Sequence, residues 1–263
     1  MTLYNSIGTG YSRHRRPDHR IASAIDTALG DATSVVNVGA GTGSYEPSDR
    51  DVVAVEPSEV MIRQRPQGAA PCLQGSAEAL PLETNAVDAS MAILTTHHWS
   101  DPERGYREMA RVARQRVVLL TWVPGATRFW LTQEYFPEIG AHDHAIFPDS
   151  ATLVATLERI IGPVRMSPVL IPHDCTDGFL CAYWRRPECY LDAQVRGAIS
   201  SFARIDAQAG LERLRADISS GQWGERHAHL LSQDAMDYGY RVFCCEIDTG
   251  SRADPTPHER EQA

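Results

Sequence analysis

The chain has 263 residues, which is enough for one large α/β domain or for one domain with an insertion. Its 43% hydrophobic and 22% charged residues are ordinary for a folded globular protein, and they exclude neither an enzyme nor a binding protein. The formal net charge of -9 argues against nucleic acid as a partner, because a phosphate backbone needs clustered cations.

Residues 19–123 alternate between helix and strand patterns. Ile21, Ile25 and Leu29 have the four-residue spacing of a helix, which we expect Gly30 to end. The other predicted elements of this half are, in chain order, a strand at 34–38, a strand at 51–55, a helix at 60–65, a strand at 87–94, a helix at 103–113 capped by Ser100 or Asp101, and a strand at 116–123. Short apolar strands separated by helices favour a parallel sheet covered on both faces, with any ligand at the carboxyl ends of the strands.

The second half of the chain breaks this alternation. Residues 125–235 are richer in aromatic side chains and are predicted to be mostly helical, with one strand near 164–171. A last strand is predicted at 238–247. The sequence therefore predicts a single domain over 1–250. Residues 1–123 would form a cofactor-binding core, and the insertion at 125–235 would cover the ligand edge and form an acceptor pocket.

Targeting and metal-binding signals are missing from the sequence. No apolar segment reaches the length of a membrane helix, and the N-terminus lacks the pattern of a signal peptide. The six cysteines form no C-x-x-C pair and no zinc-like spacing with histidine, so we expect reduced thiols and no metal site. The polar residues 251–263 are predicted to be a disordered tail. These features predict a cytoplasmic protein without a membrane partner.

A glycine-rich turn at 35–43 (VVNVGAGTG), directly after the first predicted strand, is the strongest functional signal. Glycines at alternate positions let the backbone turn sharply and let a ligand approach without a Cβ in the way. Glu56 stands seventeen residues after Gly39, at the end of the next strand. A carboxylate at that place can accept both hydroxyl hydrogens of a ribose. The turn and Glu56 together predict a cofactor that contains a nucleoside.

Two classes of cofactor fit this outline. Dinucleotide-binding folds use G-x-G-x-x-G, followed by a helix whose N-terminus receives the pyrophosphate. Here the glycines run G-x-G-x-G, and the next residue is Ser44. Glu46 then places a carboxylate where a phosphate would need a free helix N-terminus. The pattern therefore favours a cofactor that carries no diphosphate.

In five segments the chain resembles the class I S-adenosylmethionine-dependent methyltransferases, particularly the small-molecule group similar to ubiquinone/menaquinone methyltransferases. These segments are 4–17, 35–43, 53–61, 75–81 (GSAEALP) and 87–99, which ends in Thr96-His97-His98-Trp99. The resemblance implies an α/β, Rossmann-like, mostly parallel seven-stranded sheet with helices on both faces and a helical cap before the last strand. It implies S-adenosyl-L-methionine as the cofactor and methyl transfer to a small-molecule acceptor. The cofactor-binding residues that it implies are Tyr11, Arg13, Asn37, Gly39, Ala40, Gly41, Gly43, Glu56, Pro57, Met61, Ser76, Ala77, Glu78, Leu94 and Thr95.

The resemblance also implies where parts of the cofactor would lie. Gly39 and Gly41 would face its amino-acid part, Glu56 its ribose, and Pro57, Met61, Ser76 and Ala77 its adenine, while Leu94 and Thr95 would lie near the methionine and Tyr11 and Arg13 would close from the N-terminal segment. Two positions depart from the family pattern, since Asn37 stands where Asp or Glu is usual and Ser76 where Asp is common. Both side chains can still form hydrogen bonds, so we expect weaker cofactor binding at Asn37 rather than its loss.

Histidines and aromatic residues are the candidates for catalysis and acceptor binding. His97 and, with less support, His98 follow the third predicted strand on the ligand edge and are candidate general bases, or they orient the loop and cap the next helix. His142 and His144 are predicted to lie in an exposed loop rather than to bind a metal. A hydrophobic or aromatic acceptor is expected, with candidate contacts at Trp122, Phe129, Trp130, Tyr135, Phe136, Tyr183 and Trp184. Packing within the helical cap is the alternative role of these side chains, and it is favoured for any single one.

Two other functions stay open at this point. Methylation of an RNA base would require the arginines between Arg13 and Arg20 to lie on one continuous basic face. A cofactor-binding protein without transferase activity is suggested by Asn37 alone. Simpler interpretations also exist, because the glycines could serve only the turn and Glu56 could be an ordinary solvated carboxylate.

Overall fold

Strand pairing builds one seven-stranded sheet in the computed structural model, which describes residues 14–125 and 127–247. The strands are β1 (Ser34–Val38), β2 (Asp51–Glu56), β3 (Cys72–Gln74), β4 (Val87–Ile93), β5 (Ala113–Trp122), β6 (Val164–Pro168) and β9 (Tyr240–Glu246). Their order is β3-β2-β1-β4-β5-β9-β6, and only β9 runs against the others. A second, two-stranded sheet pairs β7 (Ile171–Pro172) with β8 (Ala235–Met236). The predicted mostly parallel, seven-stranded α/β sheet is confirmed. Tyr11, Arg13 and the tail at 251–263 lie outside the described residues.

Helices connect these strands and fill the insertion before β9. They are α1 (His19–Leu29), α2 (Glu59–Arg63), α3 (Pro102–Val112), α4 (Pro137–Ile146), α5 (Ser150–Ile160), α6 (Ala193–Gly197), α7 (Gln208–Ser220) and α8 (Gln222–Arg226). The residues predicted to end the first helix and to cap the helix after residue 100 do so in the structure. Gly30 follows α1, and the Asp101 side chain caps α3 by accepting from the Arg104 N–H at 3.0 Å. Within the described residues, every helix is too short or too polar to cross a membrane.

The sheet carries an apolar layer on each face. On one face α1 buries Ile21, Ile25 and Leu29 together with aromatic residues of the insertion. On the other face Met109 of α3 packs with Leu157 of α5. α5 belongs to the insertion by sequence, yet it lies beside α3 and β6 against the sheet. Both faces are therefore covered, and only the edge at the carboxyl ends of the strands is open to a ligand.

Three sequence expectations differ from the structure. β3 was not predicted, because it has only three residues and none of them is buried. β5 begins at Ala113, directly after α3, rather than at 116. The single strand predicted near 164–171 is two strands, β6 and β7. β6 pairs with β9 and ends at Pro168, whereas β7 begins at Ile171 and pairs with β8.

The connection between β1 and β2 contains no helix. Residues 39–50 form successive turns, and Tyr45 has a φ of 63°, in the left-handed region that few non-glycine residues adopt. The glycine turn is therefore not followed by a helix N-terminus that could receive a phosphate.

Candidate active site

Gly39 begins the glycine turn at the carboxyl end of β1. Its φ is 68°, and a Cβ there would overlap Thr95 Oγ1 and come within 2.9 Å of Thr95 Cγ2. Thr95 follows β4, which is the neighbour of β1 in the sheet. Glycine is required here both for the backbone conformation and for the close approach of these two strand ends.

The backbone amides of the turn are already bound to protein acceptors. Gly39 N–H and Ala40 N–H both donate to the Val55 carbonyl, at 2.8 and 3.1 Å. Gly41 N–H donates to Glu56 Oε2 at 2.8 Å. Phosphate-binding turns keep such amides for the ligand. The predicted preference for a cofactor without a diphosphate therefore has a structural basis.

Glu56 is the last residue of β2 and is only 6% exposed. Its two oxygens accept from Gly41 N–H and from Ser58 N–H, at 2.8 and 2.9 Å. Burial raises the pKa of this carboxyl, while the two backbone donors and the charge of Arg65 counteract part of that rise. Each carboxylate oxygen has further lone pairs. Glu56 is thus a fixed acceptor that can bind two more hydroxyl groups.

A cavity of about 540 Å³ lies above the glycine turn, and we call it the glycine-loop cavity. The predicted cofactor residues that line it are Asn37, Gly39, Ala40, Gly41, Glu56, Pro57, Met61, Ser76, Ala77, Glu78, Leu94 and Thr95. Gly43 does not line it and instead lies beside Glu46 and Arg65. The sequence interpretation missed other residues of its wall, which are Arg15, Thr42, Ser44, Ile93, Trp99, Ser100 and Arg204. The missed residues in the glycine turn and in 93–100 are sequence neighbours of predicted residues, so proximity could have indicated them. No local sequence pattern indicates Arg204.

Asn37 takes part in a buried polar network below the glycine turn. Its amide donates to Glu46 Oε1 at 3.1 Å, and Arg65 contacts both Glu46 oxygens at 2.8 and 2.7 Å. The Arg65 and Glu46 side chains are only 6% and 9% exposed. An aspartate at position 37 would set a second carboxylate beside Glu46, and like charges that close repel each other. The neutral amide is therefore the side chain that this network accommodates.

Known proteins resemble the chain in sequence and in structure. A family model described as a methyltransferase domain matches residues 36–121. An uncharacterized methyltransferase of Mycobacterium tuberculosis is 34% identical over 169 residues, which cover 59% of this chain and 68% of the relative. A crystal structure described as a methyltransferase from an antibiotic biosynthesis pathway of Anabaena variabilis has a TM-score of 0.82 and 36% identity, covering 88% of this chain and 98% of that one. The chain belongs to the S-adenosylmethionine-dependent methyltransferases.

A more distant relative of the methyltransferase is the 2-methyl-6-phytyl-1,4-hydroquinone methyltransferase of Spinacia oleracea. It is 26% identical over 153 residues, which cover 52% of the methyltransferase and 44% of the relative. The glycine-loop cavity fits S-adenosylmethionine on its own geometry. It combines a glycine that leaves room at the strand end, a buried carboxylate with free lone pairs, and amides that are not available to a diphosphate.

A second cavity of about 500 Å³ adjoins the first, and we call it the aromatic cavity. The residues that line both cavities are Arg15, Leu94, His97, His98 and Arg204. Leu94 has a φ of 53°, a strained conformation of the kind found at functional sites. The aromatic residues of the second wall are Trp122, Phe129, Phe147, Phe179, Tyr238 and Tyr240. The methyltransferase therefore has two connected compartments at the ligand edge.

Only two of the predicted aromatic contacts, Trp122 and Phe129, line the aromatic cavity. Five others are buried in the core of the insertion, which is the packing role left open as their alternative, namely Trp130, Tyr135, Phe136, Tyr183 and Trp184. The Trp130 ring packs edge-on against Tyr135, and its indole N–H donates to the Trp184 carbonyl at 2.8 Å. A sequence gives the aromatic content of an insertion but not which rings face inward.

His97 and His98 lie in a short helical turn after β4, on the wall that the two cavities share. Their ring centroids are 3.8 Å apart, and Phe147 lies 4.7 Å from the His97 ring. Burial lowers the pKa of His97 well below its usual value, and burial with the nearby charges of Arg204 and Arg15 lowers the pKa of His98 to about 4. Both rings are therefore neutral near pH 7 and able to accept a proton.

The segment His142-Asp143-His144 was predicted to be an exposed loop, and that prediction was wrong. It forms the last part of α4, and all three residues line the aromatic cavity. Asp143 follows Ile139 by one helical turn, so both lie on the buried face of α4. Asp143 is only 8% exposed, and burial raises the pKa of its carboxyl to about 6. The structure thus places an acidic group in a cavity whose other charged side chains are those of arginines.

Two basic residues near the N-terminus of the methyltransferase, Arg15 and Arg20, form ion pairs. Arg15 Nε donates to Asp177 Oδ1 at 2.6 Å, and the Tyr45 hydroxyl donates to Asp177 Oδ2 at 2.9 Å. Arg20 contacts Asp18 at 2.7 Å and an exposed aspartate of the insertion at 2.8 Å. These pairs connect the N-terminal segment, the β1–β2 connection and the insertion around two buried carboxylates, Asp18 and Asp177.

Proposed function

We propose that this methyltransferase methylates a small molecule with an aromatic or otherwise apolar body, which binds in the aromatic cavity. The observation that carries the proposal is the wall shared by the two cavities. An acceptor in the aromatic cavity would meet the cofactor across Leu94 and His97. The volume of about 500 Å³ falls in the range of small-molecule sites, and the aromatic walls suit a planar or apolar body.

The proposed cofactor contacts follow from the glycine-loop cavity. Glu56 would accept from the ribose hydroxyls, and Gly39 and Gly41 would let the amino-acid part approach the backbone. Pro57 and Met61 would lie against the adenine. When bound, S-adenosylmethionine supplies a methyl group that its sulfonium already activates for in-line displacement. The protein then has to orient the two ligands and keep water away.

His97 is proposed as a general base for an acceptor atom that must lose a proton. Its ring lies at the shared wall and is neutral, which is the form that accepts a proton. No described residue bonds its Nδ1, which is buried, so the ring is held by packing against His98 and Phe147 rather than by a carboxylate partner. His98 is the second candidate because it lines the same wall.

The comparisons support a small-molecule acceptor, because one relative comes from an antibiotic pathway and another methylates a hydroquinone. An RNA acceptor would need a continuous basic face. Arg15 and Arg20, the described members of the basic segment with acidic partners, are neutralised by Asp177 and Asp18. No observation favours RNA or a protein without transferase activity.

The proposal is tested by filling the aromatic cavity. Ser201 lines this cavity and is partly exposed, so Ser201→Trp should obstruct acceptor binding without disturbing the core. We expect methyl transfer from labelled S-adenosylmethionine to a panel of small aromatic acceptors to fall at least ~10-fold. Binding of S-adenosylhomocysteine, measured by calorimetry, should not change. Ser219→Trp, on an exposed position of α7, is the matched control. Methylation of tRNA but not of the panel, or equal activity of both variants, would refute the proposal.

A further inference from the structure

Asp143 stands out among the side chains of the aromatic cavity. It is 8% exposed, and it is the one acidic residue among the described residues of this wall. Its carboxylate makes no hydrogen bond or ion pair with any described residue, whereas other buried carboxylates of this protein, such as Asp18 and Asp177, are bound by several donors. Burying a carboxylate without a partner is costly, so such a group indicates a site for a ligand.

The position of Asp143 separates it from the reacting centre. It lines the aromatic cavity but not the glycine-loop cavity, so it is not among the residues of the wall that the two cavities share. A ligand group bound to Asp143 is therefore a different group from the atom that receives the methyl. Nearby, His142 Nε2 is also buried without a partner among the described residues.

Electrostatics select the kind of donor that Asp143 can bind. Arg204 and His144 act on its carboxyl, and Arg204 and Arg128 also line the aromatic cavity. Neither arginine forms a salt bridge with a residue described here. These cations offset part of the attraction of an ammonium group to Asp143, whereas a neutral hydroxyl can bind the carboxylate without that repulsion. The aromatic side chains of the cavity wall can pack against the ring that bears this hydroxyl.

We propose that Asp143 is a specificity-determining residue that accepts a hydrogen bond from a hydroxyl of the acceptor, at a site separate from the methylated atom. The acceptor is then a hydroxylated aromatic compound with a second polar group that reacts. This inference rests on the proposed function, because it requires that the acceptor binds in the aromatic cavity.

Binding of three matched probes to the protein saturated with S-adenosylhomocysteine tests the inference. The probes are 2-naphthol, 2-methoxynaphthalene, which lacks the donor, and 2-naphthylmethylamine, which is cationic. Ligand-detected NMR titration should give 2-naphthol an affinity about 10- to 100-fold higher than that of 2-methoxynaphthalene, as a hydrogen bond to a charged acceptor provides. The amine should bind no better than 2-methoxynaphthalene.

The variant Asp143→Leu should abolish the preference for 2-naphthol and raise the melting temperature, because it removes a buried charge without a partner. Asp143→Asn should keep part of the preference. Thr132→Val is the control, since the Thr132 hydroxyl lines the same cavity but already donates to the Phe129 carbonyl at 3.1 Å. A preference that persists in Asp143→Leu, or tighter binding of the amine, would overturn the inference. If no probe binds while S-adenosylhomocysteine does, the proposed function fails as well.

Discussion

Gly39→Ala perturbs the site at the point where β1 and β4 approach each other most closely. The substitution forces alanine to a φ of 68°, which costs about 1–2 kcal/mol. The new Cβ also overlaps Thr95 Oγ1 and lies 2.9 Å from Cγ2, and overpacking of this kind costs about 1–3 kcal/mol. We therefore expect a loss of about 2–5 kcal/mol in the free energy of unfolding, together with weaker binding of S-adenosylhomocysteine.

The steric part of this loss can be measured separately with Thr95→Ala. In that background the overlapping Oγ1 and Cγ2 atoms are absent and only the Cβ of residue 95 remains close, at 3.1 Å, so Gly39→Ala should cost little more than the unfavourable backbone conformation. A double-mutant cycle from urea unfolding should give a coupling of about 1–3 kcal/mol between the two positions. Calorimetry with S-adenosylhomocysteine should show the same recovery. Equal costs of Gly39→Ala with threonine and with alanine at position 95 would refute the steric argument.

Two further predictions concern charge and protonation at the site. Glu56→Ala should weaken binding of S-adenosylhomocysteine by ~1–3 kcal/mol through lost charged hydrogen bonds, measured by calorimetry against the exposed control Glu59→Ala; unchanged affinity would count against the ribose contact. His97→Ala should slow turnover ~100-fold or more, whereas His19→Ala, at the exposed first residue of α1, should not. Because the pKa values of His97 and His98 are lowered, these side chains lose their base forms only as pH falls through those low values. We therefore expect kcat at saturating acceptor to stay level from about pH 6 upward. A fall in kcat near pH 7 that His97→Ala abolishes would contradict this expectation.

The sequence predicts the cofactor half of the site well because its determinants are local. Gly39, Glu56 and Thr95 each stand at the end of an apolar strand, and parallel strands bring their carboxyl ends to one edge. The spacing of residues along the chain therefore fixes their neighbourhood in space. β3 escapes prediction because three partly exposed residues carry too little periodicity.

The acceptor half could not be predicted in the same way. Its wall joins residues as far apart in the chain as Arg15 and Tyr240, and their contacts depend on how the insertion packs. Asp143 lies one turn after Ile139 on the inner face of α4, but a charged residue at that position gives no apolar periodicity by which the sequence could reveal this face. Arg204 reaches both cavities from a short turn that has no sequence signature.

The helix-free connection between β1 and β2 has a consequence for how variants of this enzyme should behave. A helix maintains its own shape through its internal ladder, but a run of turns takes its shape from its surroundings. Here Tyr45 is anchored to Asp177 of the insertion, and Glu46 is anchored to Arg65 after α2. A structural change in either distant segment should therefore alter the position of the nucleoside-binding edge. A substitution near Asp177 that is made to alter acceptor choice should also shift cofactor affinity.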